Sequence, residues 1–335
     1  MEPEKWARRY WLATAASLLL AASAPVPALS AAYPSRPITL IVPFAAGSST
    51  DSVVRPLAKK LAHLLHVQII VLNRPGGNFA VASNVLKASP ADGYTLLVAT
   101  GSMLVQNYVL GKNVGYDPLR DFSFIGTIGI HPGILVARNN LPANDAHSLF
   151  AYARAHPGQL NFASGGVGSA SHVMMEYVLS ALHTDMVHVP MSGDNQAMLE
   201  LAAGRVDVAL TAAQVALPLV KAGRVKAMAV TTPERLAYLP NVPTFSQAGL
   251  LGVESVHPYG LAGLVGPAGM PLVDVQIIGK ALRQIISSSE ESITLRDRFH
   301  MEPYAKTSEE FRHLIQIQIR NWAEIAERMR ASPRS

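Results

Sequence analysis

Ile38-Thr39-Leu40-Ile41-Val42 runs directly into Pro43-Phe44-Ala45-Ala46-Gly47-Ser48-Ser49-Thr50-Asp51. The apolar run has the length and composition of a buried parallel strand. Beyond the turn, Ser52-Val53-Val54-Arg55-Pro56-Leu57 continues to Leu61, Leu64 and Leu65, so apolar side chains recur at helical spacing. The unit is strand, small-residue turn, helix. Small residues allow backbone to approach a guest closely, and the unpaired N–H groups of a first helical turn favour an anion there. Ser48, Ser49, Thr50 and Asp51 are all suited to cap the helix. Phe44, Gly47 and these four residues are therefore candidate ligand contacts. An ordinary strand-to-helix turn without a ligand explains the pattern equally well.

The same grammar continues outward. Val67–Val71 reads as a strand, 73–78 as a Gly/Pro loop, 80–88 as a helix and Tyr94–Ala99 as a strand. Ligands of open α/β sheets bind at the carboxyl ends of strands, which adds Thr100 and Ser102 to the candidates; helix capping is their alternative role. Glycines and Pro132 between 125 and 137 mark a crossing to a second lobe. There Leu160–Ala163 is a strand, followed by the loop Ser164-Gly165-Gly166-Val167-Gly168-Ser169-Ala170-Ser171-His172 and an apolar-faced helix. A second helix N-terminus can thus face the first, with Ser164, Gly165, Gly166, Ser169, Ser171 and His172 as candidates. His172 could donate to a carboxylate or simply orient the loop. Further strands are expected at 186–189, 206–210 and 225–230. The stretch 255–265 reads as the crossing back, and Pro271 as a helix start. Thr307-Ser308-Glu309-Glu310 is a capping box opening a last helix. Its stripe of Phe311, Leu314/Ile315, Gln318, Trp322, Ile325 and Met329 faces a core.

Composition narrows the function. The 335 residues are 49% hydrophobic and 15% charged, enough for two compact lobes. The net charge of +5 suits an anionic ligand, but no Lys/Arg run or interleaved aromatic pattern points to nucleic acid. Lys5, Arg8 and Arg9, an apolar run from Leu12 to Ala22, and small residues around Ala28–Ala31 follow the order of a cleavable signal peptide, expected over 1–30. The run is short for a membrane span and ends in prolines. With 0 cysteines there is no disulfide, thiolate metal site or catalytic thiol. No Gly-x-Ser-x-Gly, dinucleotide fingerprint or phosphate-loop lysine occurs. The pairs His63/His66 and His183/His188 lack a nearby third ligand, so neither metal nor cofactor is expected.

Several motifs, taken in order, carry a resemblance. Tyr33-Pro34-Ser35-Arg36-Pro37-Ile38, the 43–51 loop, Asn73-Arg74-Pro75-Gly76 and Asp92-Gly93-Tyr94-Thr95-Leu96-Leu97 are followed by Tyr116-Asp117-Pro118-Leu119-Arg120-Asp121-Phe122. Val187-His188-Val189-Pro190, Lys221-Ala222-Gly223 and Val242-Pro243-Thr244 complete the set. From Tyr33 to the last helix, the chain resembles the Bug receptors, the extracytoplasmic solute-binding proteins of tripartite tricarboxylate transporters. The resemblance implies a two-lobed α/β periplasmic binding protein of the type II, venus-flytrap kind. Lobe 1 would be 31–131 with 257–335, and lobe 2 would be 132–256. It also implies a monomeric, non-catalytic receptor that takes a small carboxylate or similar metabolite in the interlobe cleft and meets membrane transporter subunits or a sensor protein. A sensory receptor without a transport partner is one alternative. A hydrolase using Ser48 or Ser169 is another.

The chain also departs from the family. Ala45 and Ala46 stand where the family has prolines, and Ser48 where it has a glycine, which would strain Ser48 if that position needs positive φ. Pro56 lies inside the expected helix and should kink it. Thr211, followed by Ala212-Ala213-Gln214, falls where the family commonly has an aspartate lining the cleft; Thr211 and Gln214 complete the candidate set. Threonine carries no charge, so a ligand ammonium would lack a partner, and non-amino carboxylates or neutral compounds should bind in preference.

Overall fold

A computed structural model describes residues 33–110, 114–167, 169–253 and 259–331, excluding the side chains of Ser49 and of residues 324, 325 and 328–331. The expected signal segment, Gly168, residues 254–258 of the return crossing, and the side chains of Ile325 and Met329 lie outside the described residues.

The opening stretch folds as its pattern dictates. Strand β1 (Ile38–Val42) leads into helix α1 (Ser49–Leu65), then β2 (Ile69–Asn73), α2 (Ala80–Lys87) and β3 (Thr95–Thr100). Both β2 and β3 pair parallel with β1. Ile38, Leu40, Ile41 and Val42 are buried, as expected of a strand covered on both faces. Helix α1 runs unbroken through Pro56 and ends at His66 in left-handed conformation, φ 54°.

The first sheet is completed from distant sequence. β4 (Phe122–His131), β10 (Gly260–Pro267) and β11 (Glu302–Pro303) give the order β11-β4-β10-β3-β1-β2, with β10 antiparallel to both β3 and β4. A second sheet holds β5 (Gly133–Arg138), β6 (Asn161–Ser164), β7 (Val187–Pro190), β8 (Val208–Ala212) and β9 (Val225–Val230) in the order β7-β6-β8-β5-β9. β6 is parallel to β7 and β8, while β5 is antiparallel to β8 and β9. Helices α3 (Ala146–Ala155), α4 (Ala170–Ala181), α5 (Asp194–Ala202) and α6 (Ala213–Lys221) lie between the strands of the second sheet. Helices α7 (Leu272–Ile286), α8 (Ser289–Phe299) and α9 (Ser308–Ala331) return to the first.

The first passage between sheets is shorter than its glycine-rich sequence suggests. The expected crossing over 125–137 is strand on both sides, and only Pro132 separates β4 from β5. On the return, residues from Gly260 onward already belong to β10 of the first sheet. The last helix keeps its predicted face: Phe311, Ile315, Gln318 and Trp322 are all buried. The capping box closes in both directions, with Glu310 N–H donating to Thr307 Oγ1 at 3.2 Å and Thr307 N–H to Glu310 Oε2 at 2.8 Å. Among the described residues, no helix is long and apolar enough to cross a membrane.

Candidate functional site

The first loop is set by Asp51. Gly47 turns the chain at φ +80°, where glycine avoids strain, and its N–H donates to Asp51 Oδ2 at 2.9 Å. Arg55 Nε donates to the same oxygen at 2.8 Å. Asn73 Nδ2 donates to Asp51 Oδ1 at 2.9 Å and to the Phe44 carbonyl at 3.0 Å, tying the loop to the end of β2. The Arg55 hydrogen bond, opposed by burial and helped by the Gly47 amide and Asn73, holds the Asp51 carboxyl at a pKa of about 2. Asp51 is thus buried and engaged, and shapes the loop from behind. Ser48 is the N-cap at φ −64°, ψ 164°, its hydroxyl accepting from Asp51 N–H at 3.2 Å. The expected strain at Ser48 is absent, because Gly47 alone takes the positive φ.

In front of this loop lies a cavity of about 190 Å³. Of the expected residues, Phe44, Thr50, Thr100 and Ser102 line it. Ser102 opens a π-helical turn, Ser102–Gln106, after β3, and Thr100 Oγ1 accepts from Met103 N–H at 3.4 Å. The walls are mainly apolar, including Val53, Val54, Ile128 and Ile315, with polar groups from Gln106, His131, Tyr259 and Gln318. Sequence reasoning missed these four. Gln318 carried a visible signal, a polar side chain within an apolar helical stripe, yet was read as core. His131 and Tyr259 sit at the two passages between sheets, which pattern reading treats as connections. Burial, then neighbouring His300, lowers the His131 pKa to about 4, so the ring is neutral at neutral pH. Its Nδ1 is buried with no hydrogen-bond partner among the described residues.

The second loop closes on itself. Ser169 caps α4 from φ −70°, ψ 162°, its hydroxyl accepting from His172 N–H at 3.3 Å. Gly165 N–H donates to Ser171 Oγ at 2.9 Å, and Ser171 Oγ donates to Asp194 Oδ1 at 2.6 Å. Ser164, fully buried, hydrogen-bonds His188 Nε2 at 2.7 Å and accepts from Gly166 N–H at 3.1 Å. His172 stacks on His188 with centroids 3.9 Å apart, and His188 on Phe162 at 4.8 Å. Burial, then His188, lowers the His172 pKa to about 4; burial also lowers that of His188. Both rings are therefore neutral at neutral pH, and the loop presents hydroxyls and amides rather than cations. Gln214, on α6, is exposed. Among the described residues, no group of three metal-ligating side chains occurs.

Tyr259 links the two loops. Its ring forms part of the cavity wall, packed so closely on β5 that a Cβ at Gly133 would stand 2.7 Å from Cδ2. Its hydroxyl reaches the second-sheet cluster, near Thr211, Ser171 and Asp194. Burial, and then the Asp194 carboxylate, raise its pKa well above the ordinary phenol value. Thr211 is 2% exposed at the end of β8. Thr211 Oγ1 and Tyr259 Oη are both buried and face each other, with Ser171 beside them, as hydrogen-bonding neighbours.

Known proteins place this arrangement. The model of the tripartite tricarboxylate transporter family receptor matches residues 53–330. A UPF0065 protein of Bordetella pertussis is 31% identical, over 99% of this chain and 100% of its own. The MatC protein of Rhodopseudomonas palustris, solved with bound malate, is 28% identical with a TM-score of 0.63, covering 88% of this chain and 100% of its own. The Rpa4515 protein of R. palustris, solved with adipate, is also 28% identical, with a TM-score of 0.66 over 88% of this chain and 97% of its own. A chain matched by the family model over most of its length, and folded as these solute-binding proteins are, belongs to the tripartite tricarboxylate transporter receptor family, the Bug or TctC-type periplasmic solute-binding proteins.

Proposed function

We propose that the protein is a periplasmic receptor that binds a small carboxylate between two lobes, 31–131 with 257–335 and 132–256, and delivers it to a tripartite membrane transporter. The observation that carries this reading is Tyr259, whose ring lines the first-sheet cavity while its hydroxyl stands with the second-loop cluster. One ligand placed there would touch both sheets. Two helix N-termini open beside it, those of α1 and α4, each capped by a serine that leaves first-turn amides available. Each contributes about 0.3–1 kcal/mol to holding a carboxylate, and up to about 2 when partly buried. Hydrogen bonds from Thr50, Thr100, Ser102 and bridging water add to this. Malate and adipate in the related structures are ligands of the same class. Ligand binding draws the lobes together by a hinge, and the closed form presents the surface a transporter subunit reads. Ser48 and Ser169, which a hydrolase would need as nucleophiles, are instead helix caps engaged by backbone amides.

Calorimetry against a panel of small organic acids tests this. At least one should bind at roughly micromolar strength, about −8 kcal/mol. Ser169→Glu should abolish that binding in a protein that still melts cooperatively, because a carboxylate at the α4 N-terminus takes the anion's place. Binding only of nucleotides, metals or oligosaccharides would overturn the proposal, and unchanged affinity in folded Ser169→Glu would remove the second loop from the site.

A further inference from the structure

One wall of the first-sheet cavity is built by backbone that departs from regular helix. After β3, residues Ser102–Gln106 form a π-helical turn, closed by Asn107 N–H on the Ser102 carbonyl. Such turns are rare and occur frequently at functional sites. The apolar members of this one, Met103, Leu104 and Val105, are buried in the core. The Met103 carbonyl accepts from Tyr116 Oη at 2.8 Å, which pins the widened turn to the segment before β4. The turn is thus held from its buried side, while Ser102 and Gln106, four residues apart, both line the cavity.

Gln106 is half-buried, and its side-chain amide forms no hydrogen bond with a described residue. Val105, Ile128, Met301 and Ile315, all buried, share the wall with it. An amide carries two donors and an acceptor oxygen, so Gln106 can bond a carbonyl, an amide or a hydroxyl equally well. Pockets of this composition, apolar with a few placed polar groups, take orientation and specificity from those groups.

Charge supplies the second observation. Among the described residues that line the cavity there is no Lys, Arg, Asp or Glu. Its histidine, His131, is neutral at neutral pH, and the Tyr259 phenol keeps its proton. The groups that favour an anion are the first-turn amides of α1 and α4, in the two loops. A second anionic group placed against the Gln106 wall would leave water for a surface without a cation, which is costly. An uncharged polar group placed there meets the Gln106 amide and gives up no charge solvation.

We propose that Gln106 is a specificity-determining residue: it hydrogen-bonds an uncharged polar group on the ligand, so that the receptor takes acids with one carboxylate and one neutral polar end in preference to dicarboxylates. This rests on the carboxylate-receptor reading and narrows its ligand class. The carboxylate belongs to the helix N-termini of the two loops, and the neutral end belongs to the π-helical turn. A site built to hydrogen-bond a neutral group discriminates strongly against an analogue that lacks it.

Ligand sets that share a chain and differ at one end decide it. Glutarate, its monoamide glutaramate, 5-hydroxypentanoate and pentanoate form one set, and succinate and adipate head two matching ones. Each acid is titrated calorimetrically into the full chain near neutral pH. In at least one set, the amide- or hydroxyl-ended acid should bind about tenfold or more tightly than both the dicarboxylate and the alkyl acid. Gln106→Leu, which keeps bulk and removes the amide, should cancel the lead over the alkyl acid. Gln106→Lys should favour the dicarboxylate over the neutral-ended acid and so reverse that ranking. A side chain that only filled space would, when replaced, weaken every member of a set alike. Thermal melting confirms that each variant is folded; Gln106→Met replaces Gln106→Leu, and Gln106→Arg replaces Gln106→Lys, where it is not. A dicarboxylate or alkyl acid that binds tightest in every set, or an unchanged ranking in the folded Gln106 variants, overturns this inference and leaves the receptor reading standing. Failure of every carboxylate overturns both.

Discussion

Asp51 illustrates how one residue organises a whole loop from behind. It receives the Gly47 amide, Arg55 and Asn73, and its own amide donates to the Ser48 hydroxyl. Asp51→Ala should therefore cost about 2 kcal/mol and loosen the loop, seen as a lower urea midpoint and weaker ligand binding. The pH dependence has a definite sign. A folded pKa of about 2 against the unfolded 3.8 means that the unfolded chain binds more protons between those values. The contribution is complete above about pH 4 and is lost as pH falls toward 2; the Ala variant should lack this acid-side loss. At this scale the sequence was only partly legible. That 48–51 could cap a helix follows from residue type. That Asn73, on another strand, would reach both Asp51 and Phe44 depends on β1 and β2 pairing in register, Val42 beside Asn73. Asp194 was invisible for the same reason, since only the fold brings the start of α5 against Gly165.

Among the elements, hydrophobic period gave existence and type, while ends moved. β1 and β9 begin and end where the apolar runs do, but β2, β6, β7 and β8 extend one or two residues beyond them, onto residues such as Asn73, Ser164 and Thr211. Those polar ends are where candidate contacts sit, because a strand leaving its core carries its last ladder bonds toward the cleft. Pro56 does not break the helix: α1 continues through it, with Val53, Val54, Leu57 and Leu61 of its inward face all buried. The capping box of α9 behaved as read, and its strength is measurable. Thr307→Ala removes the acceptor for Glu310 N–H and should cost about 1 kcal/mol in denaturant unfolding, with the Phe311 and Trp322 face and ligand binding unaltered. A loss well below about 0.5 kcal/mol would mean that packing of this face holds the helix start unaided.

At the scale of the whole molecule, two buried rings make the fold sensitive to acid. His131 and His172, in different sheets, are each held near a pKa of about 4. The unfolded chain, with histidines near 6.5, takes up more protons between those values, so stability is full above about pH 6.5 and falls as pH drops toward 4. Urea titrations at about pH 7.5 and 4.5 should differ by about 5 kcal/mol, about half from each ring, and His172→Gln should reduce that difference. The alternating strand and helix grammar was enough to foresee two sheets, and Pro132 fell within the region expected to join them. What could not be foreseen is how little chain makes the join, since a two-sheet topology places no sequence mark on where pairing partners change. That brevity has a mechanical consequence. The Pro132 ring fixes φ, and its carbonyl accepts from Ala213 N–H at 2.8 Å, anchoring it to the second sheet. The residue before a proline is also restricted in its backbone. The connection therefore works as a stiff pivot with few free torsions, and it resists swivelling along the strand axis. If the two sheets turn about it, as the proposed hinge requires, the Tyr259 ring, seated on Gly133 next to Pro132, should shift less than residues far from the connection.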